Sequence, residues 1–182
     1  MIQKIRDSNF RIILLTREYG KISCWHKTKN CGYDTGDIIN ISIERIGTIN
    51  TIKYVDGIMS ISGKDWDYNG IISFLELIVL LGKYIPESMP HPAIFDDYSN
   101  LLTIIQNWKT LEPHHFILLK IRILKIIWIL NPKEIESSPI LRYIHNNIRT
   151  TSIDTLMLSK KLDDETLEKL KRTLAISMEN LN

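Results

Sequence analysis

Four cations fall within thirteen residues of this chain: Arg17, Lys21, Lys27 and Lys29. Tyr19 and Trp25 are interleaved with them. That pairing suits single-stranded nucleic acid. Cations track the phosphates while aromatic faces stack bases, at ~1–3 kcal/mol per base. The same residues also fit a solvated basic hairpin whose Trp25 packs in the core.

A second set of cations, Lys120, Arg122 and Lys125, interrupts an apolar run over residues 116–130. On a helix they rim an otherwise apolar surface, which suits a peptide with both acidic and apolar residues. The other reading is that long side chains reach from a core helix to water.

Other chemistry lacks its residues. The five histidines are His26, His91, His114, His115 and His145. No pair of them has the spacing of a helical metal or hydrolase motif. Cys24 and Cys31 stand seven apart, with no second pair to complete a four-ligand zinc site. Glycine-rich phosphate loops and G-x-S-x-G nucleophile elbows are absent. Neither catalysis nor a cofactor nor a metal is expected.

The elements that position these residues follow from periodicity. The chain has 182 residues, 44% of them hydrophobic, enough for one ordinary core or two small ones. Before residue 65 the pattern is that of strands: 10–16, 21–26, 38–46, 48–55 and 57–62, with Asp56-Gly57 as a hairpin turn between the last two. Four or five short strands joined by tight turns suggest a small barrel or sandwich. After residue 65 the period becomes helical. Helices are expected over 69–84, stopped by Pro86, and over 93–108 after Pro92. Pro113 opens a third over 114–130, apolar almost all round and so central. Helices over 139–147 and 165–181 follow, the last capped by Asp163 or Asp164.

The formal net charge of +2 conceals an asymmetry, with +3 on residues 1–65 and −1 on the remainder. No targeting segment is visible, and charges interrupt both long apolar runs. A soluble cytoplasmic protein with no membrane association and reduced thiols is expected.

Two segments carry a family resemblance. Thr16-Arg17-Glu18-Tyr19-Gly20-Lys21 resembles the T-R-E-x-G-K strand–turn of the RecO recombination-mediator family. Pro86-Glu87-Ser88-Met89-Pro90-His91-Pro92 resembles the P-E-x-x-P-H-P link between the first two helices of that family's helical domain. Asp34-Thr35-Gly36-Asp37-Ile38-Ile39-Asn40 is similar to its next strand. The similarity covers roughly residues 7–132.

The resemblance implies an α+β protein, with an N-terminal OB-fold β-barrel over 1–65 and an all-α domain over 66–182. It implies a non-enzymatic DNA-repair role. Such proteins bind single- and double-stranded DNA and anneal complementary strands. They engage the tail of single-strand-binding protein and act with RecR to load the RecA recombinase, in the cytoplasm at the nucleoid. Arg17 and Lys21 match the family motif, and Lys27 falls where the family is also basic. Lys29 and Arg45 join them by charge and placement, with Trp25 as the stacking residue. Lys120, Arg122 and Lys125 are the candidate contacts for the tail of single-strand-binding protein. Three departures stand out. The first strand is expected to be short or missing, the loop after Lys27 is short, and the four-Cys zinc module of many members is missing. The runner-up is a partner-dependent adaptor that has lost useful DNA binding of its own.

Overall fold

Phe10, Ile12 and Leu14, and after the turn Ile22 and Cys24, stand at alternate positions, and the pleat of a strand sends these to one face. The computed structural model describes residues 2–6, 9–60, 68–107, 113–126, 139–151, 153 and 163–179. Five strands occur among them: β1 (Ile2–Arg6), β2 (Asn9–Thr16), β3 (Gly20–Lys27), β4 (Ile38–Ile46) and β5 (Ile49–Met59). They form one sheet in the order β1-β2-β3-β5-β4. The β3–β5 pairing is parallel and the other three are antiparallel. The first strand is thus present and short. Strands β1 and β4 are the two edges, and no ladder joins them among the described residues.

The turns depend on backbone geometry. Residues 17–19 join β2 to β3, and Gly20 at their end has φ +70°. The Thr16 hydroxyl accepts from the Tyr19 amide and donates to the Gly20 carbonyl, both at 3.0 Å. Strand β4 turns into β5 at Gly47-Thr48, with Gly47 at φ +60°. The hairpin expected at Asp56-Gly57 is not formed. One strand, β5, runs through it, and Asp56 is an extra residue between the pairs Asn40–Gly57 and Ile41–Val55. A β-bulge absorbs such a residue without ending the strand. Lys53 makes a second bulge, between the pairs Ser42–Tyr54 and Ile43–Ile52.

The inward face of the sheet buries Ile12, Cys24 and Ile52 with Tyr33 of the next loop. Ile39, Ile41, Ile43 and Val55 pack against them. Two-residue alternation keeps Ile39, Ile41 and Ile43 of β4 inward, while the two bulges reset the facing of β5 opposite them.

Five helices occur among the described residues: α1 (Tyr68–Tyr84), α2 (Pro92–Asn107), α3 (Pro113–Ile126), α4 (Pro139–Asn147) and α5 (Asp164–Glu179). The chain is therefore α+β. The boundary expected at residue 65 and the expected end of the third helix, 127–130, lie outside the described residues. Pro92 opens α2, where its missing N–H is harmless. Asp163 is the cap of α5: its Oδ1 accepts from the Thr166 amide at 2.8 Å, and that bond lowers the pKa of its carboxyl. Helix α3 is buried from Phe116 to Leu124 and centres the helical core.

Sheet and helices share an interface. Leu15, Ile38 and Met59 pack against the helical core. The Tyr98 hydroxyl of α2 donates to the Gly36 carbonyl, and the Gln106 amide donates to the Ser60 carbonyl at 3.1 Å. Among the described residues, no helix is long and apolar enough to cross a membrane.

Candidate nucleic-acid interface

Register places the outward residues of the sheet side by side. Arg11 of β2 stands opposite Trp25 of β3. Trp25 stands beside Thr51 of β5, and Thr51 opposite Glu44 of β4. Trp25 is 38% exposed, so its ring is open to stacking rather than packed in the core. The Arg11 Nε donates to the Ser23 hydroxyl at 3.1 Å, which braces an exposed guanidinium on this face. The bulge at Lys53 reverses the alternation of β5 and turns Tyr54 outward, where it is 58% exposed. Tyr54 lies three residues beyond Thr51, about 10 Å along the strand.

Lys27 ends β3 and is exposed, as is Lys29 in the following loop. Arg45 lies at the far end of β4, where its Nε donates to the Gly47 carbonyl at 3.2 Å. Lys53 is paired with Glu44 at 2.5 Å, so that cation is locally compensated.

Arg17 and Lys21 face the helices. Arg17 donates Nε to Asp96 Oδ1 at 2.8 Å and Nη2 to Asp96 Oδ2 at 3.2 Å. The bonds raise the pKa of Arg17 and lower that of the Asp96 carboxyl. Lys21 donates its ammonium to the Gly82 carbonyl near the end of α1, at 3.0 Å. Its own carbonyl accepts from the Ser88 amide at 3.0 Å, within a bridge to Glu87. A Cβ on Gly20 would overlap the backbone of Met89. The two segments that carry the family resemblance therefore pack on one another. They form one part of the contact between sheet and helices.

Lys120, Arg122 and Lys125 do not rim an open groove, which corrects the expectation from the sequence. Lys120 is 4% exposed and its ammonium meets Glu76 of α1 at 2.5 Å. Arg122 is 2% exposed and donates to Asp97 of α2 and to the Thr151 carbonyl. Burial pushes its pKa down to about 10. Lys125 is half-buried and donates to the His145 carbonyl, and burial lowers its pKa, with nearby Arg149 adding to the effect. A charge in an apolar helix must find a partner or water, and here acids on α1 and α2 supply the partners.

The cysteines and His26 form a small inner cluster. His26 stacks on Tyr33, with ring centroids 5.9 Å apart and Nδ1 to the hydroxyl at 2.8 Å. Burial lowers the His26 pKa and raises that of the Cys24 thiol to about 11, which leaves that thiol unreactive. No group of three His, Cys, Asp or Glu side chains converges as a metal site among the described residues.

Sequence reasoning passed over Arg11 and Tyr54. Arg11 was legible, since two-residue periodicity sends it opposite to Ile12. Tyr54 was not, because a bulge decides its face. No family model matches this sequence, and no curated protein matches it.

Proposed function

We propose that this protein is a DNA-binding recombination mediator of the RecO type. It binds single- and double-stranded DNA through the outer face of its sheet, anneals complementary strands, and helps a RecR-like partner load the recombinase at the nucleoid. The observation that carries this reading is the outward sheet surface, where exposed Trp25 and Tyr54 share a face with Arg11 and adjoin Lys27 and Lys29. The strand order, with one parallel pair inside an otherwise antiparallel sheet of five, supports an OB-type Greek-key barrel.

The mechanism follows from the residue types. Phosphate contacts carry no base information, so any sequence binds. Aromatic stacking holds a base by its face and leaves its pairing edge open to a complementary strand. The role is non-enzymatic, with no cofactor. Two of the three cations expected to hold the tail of single-strand-binding protein are buried, so that contact has no part in this reading.

The adaptor reading has its own support, because Arg17 and Lys21 are engaged with the helices. One experiment separates the two. A labelled single-stranded oligonucleotide is titrated with the full chain at rising salt, and annealing of complementary strands is followed in parallel. A mediator gives a linear fall of log affinity with log salt and faster annealing. Binding that ignores salt overturns the mechanism. Binding only when a RecR-like protein is added establishes the adaptor.

A further inference from the structure

Helix α1 is apolar on two faces. Phe74, Leu77, Leu80 and Leu81 are buried in the helical core. Tyr68, Ile71, Ile72, Leu75 and Val79 stand in solvent instead, the two isoleucines more than a third exposed and the other three more than half. Their spacing puts them on one side of the helix as a single stripe, which Gly82 continues. From Tyr68 to Gly82 the stripe is about 21 Å long. A helix that is apolar all round calls for cover on every side, and an exposed apolar stripe marks an association surface.

Charge and shape narrow what covers it. Helix α1 holds one acid, Glu76, and one base, Lys83. Glu76 is met by Lys120 at 2.5 Å, and the Lys83 ammonium lies 4.8 Å from the centre of the Tyr84 ring. One charge of each sign selects neither an acidic nor a basic partner. It also lacks the row of cations with which a helix lies on a membrane surface. The stripe does fit itself. Leu75 is its midpoint, with Tyr68 and Gly82 the same distance to either side. The largest side chain of the stripe thus stands at one end and no side chain at the other. A Cβ on Gly82 would meet no atom within 4 Å among the described residues, so space is open there.

We infer that this chain forms a two-fold dimer through α1, the two copies of the helix running antiparallel with Leu75 on the axis. Each Tyr68 ring then fills the space at the partner's Gly82, and Ile71 packs against Val79. A two-fold interface uses the same patch on both copies, so it requires a patch that complements itself. The inference stands apart from the DNA reading, since α1 contributes no residue to the outward face of the sheet.

The test is sedimentation velocity on the full chain across a concentration series. One helix pair buries less than a standard interface of ~1,600 Å², so dissociation in the tens of micromolar is expected. The mass should rise from 21.2 kDa toward twice that value. Leu75→Glu sets like charges together on the axis and weakens association at least roughly a hundredfold, while the melting temperature of the dilute chain stays the same. Gly82→Tyr fills the space and weakens association roughly tenfold. Adding Tyr68→Ala to Gly82→Tyr exchanges the bulky and empty ends and restores it. A double variant no tighter than Gly82→Tyr alone overturns the antiparallel register. A dimer that Leu75→Glu leaves intact uses another face and overturns the proposal. So does a chain that stays monomeric at several hundred micromolar: if Leu75→Glu then lowers its melting temperature, the chain's own residues cover the stripe, and if it floats with neutral lipid vesicles, a membrane surface does.

Discussion

Arg17 in the β2–β3 turn and Asp96 in α2 form a two-pronged ion pair across 79 residues of sequence. Their side chains remain 58% and 49% exposed. Fork-to-fork geometry fixes the turn against the helix. It also sets a competition, because a DNA phosphate reaching Arg17 must displace Asp96. Asp96→Asn is expected to tighten single-stranded DNA binding and steepen its salt dependence, while Arg17→Ala weakens it. Fluorescence anisotropy across a salt series reads both. Unchanged affinity in both variants assigns Arg17 to architecture alone.

The outward face makes a separate forecast. Trp25→Ala is expected to cost ~1–3 kcal/mol of single-strand affinity, the value of one stacked base. Arg11→Ala should lower the salt slope by about one and weaken all sequences alike. Both side chains are exposed, so thermal melts should stay close to those of the parent protein. A preference for one sequence in the Arg11→Ala comparison would count against phosphate contact.

Gly20 is constrained twice, by φ +70° and by the Met89 backbone against it. Gly20→Ala should destabilise the protein by about 1–3 kcal/mol or more in urea unfolding. Gly32 has φ +69° and open space around it, so Gly32→Ala carries only the conformational part, about 1–2 kcal/mol. Equal losses at the two glycines would mean the Met89 contact is soft.

The buried Arg122–Asp97 pair tests core electrostatics. Arg122→Ala leaves Asp97 uncompensated and is expected to cost ~3–5 kcal/mol. Replacing both, Asp97→Leu with Arg122→Met, should recover most of that loss, because two desolvated charges leave together. Chemical denaturation of the three proteins measures it. Anisotropy should show DNA affinity unaltered in the double variant.

His26 and His91 both have lowered pKa values, the cause in each being burial. The fold therefore prefers their neutral forms. Their stability contribution is complete above the unfolded value of 6.5 and fades as pH falls through the lowered folded values. Asp96 and Asp163 act lower, since their depressed carboxyls lose their contribution only below 3.8. Melting temperature should thus begin to fall below pH 6.5, before Asp96 or Asp163 protonates. His26→Gln should flatten that early fall. A melting temperature constant down to pH 4 would refute it.

Periodicity and punctuation are local, and whatever depended on them was legible in the sequence. A compact apolar run located β2, and two-residue alternation located β3 and β4. Proline marked the starts of α2, α3 and α4, and an acidic cap marked the start of α5. The apolar circumference of α3 announced a central helix. The residue pair Asp56-Gly57 misled, because a dipeptide that favours a turn also fits a bulge, and only the neighbouring strand selects between them. Charge was the least legible property. The cluster around residues 17–29 reads as one basic patch along the chain. The tertiary structure divides it, committing Arg17 to Asp96 and Lys21 to Gly82, and leaving Lys27 and Lys29 exposed near Trp25 and Arg11. Lys120 and Arg122 found acids on other helices in the same way. The reason is physical: backbone preference is set by near neighbours, whereas the work of a charged side chain is set by the partner it meets, and those partners lie tens of residues away.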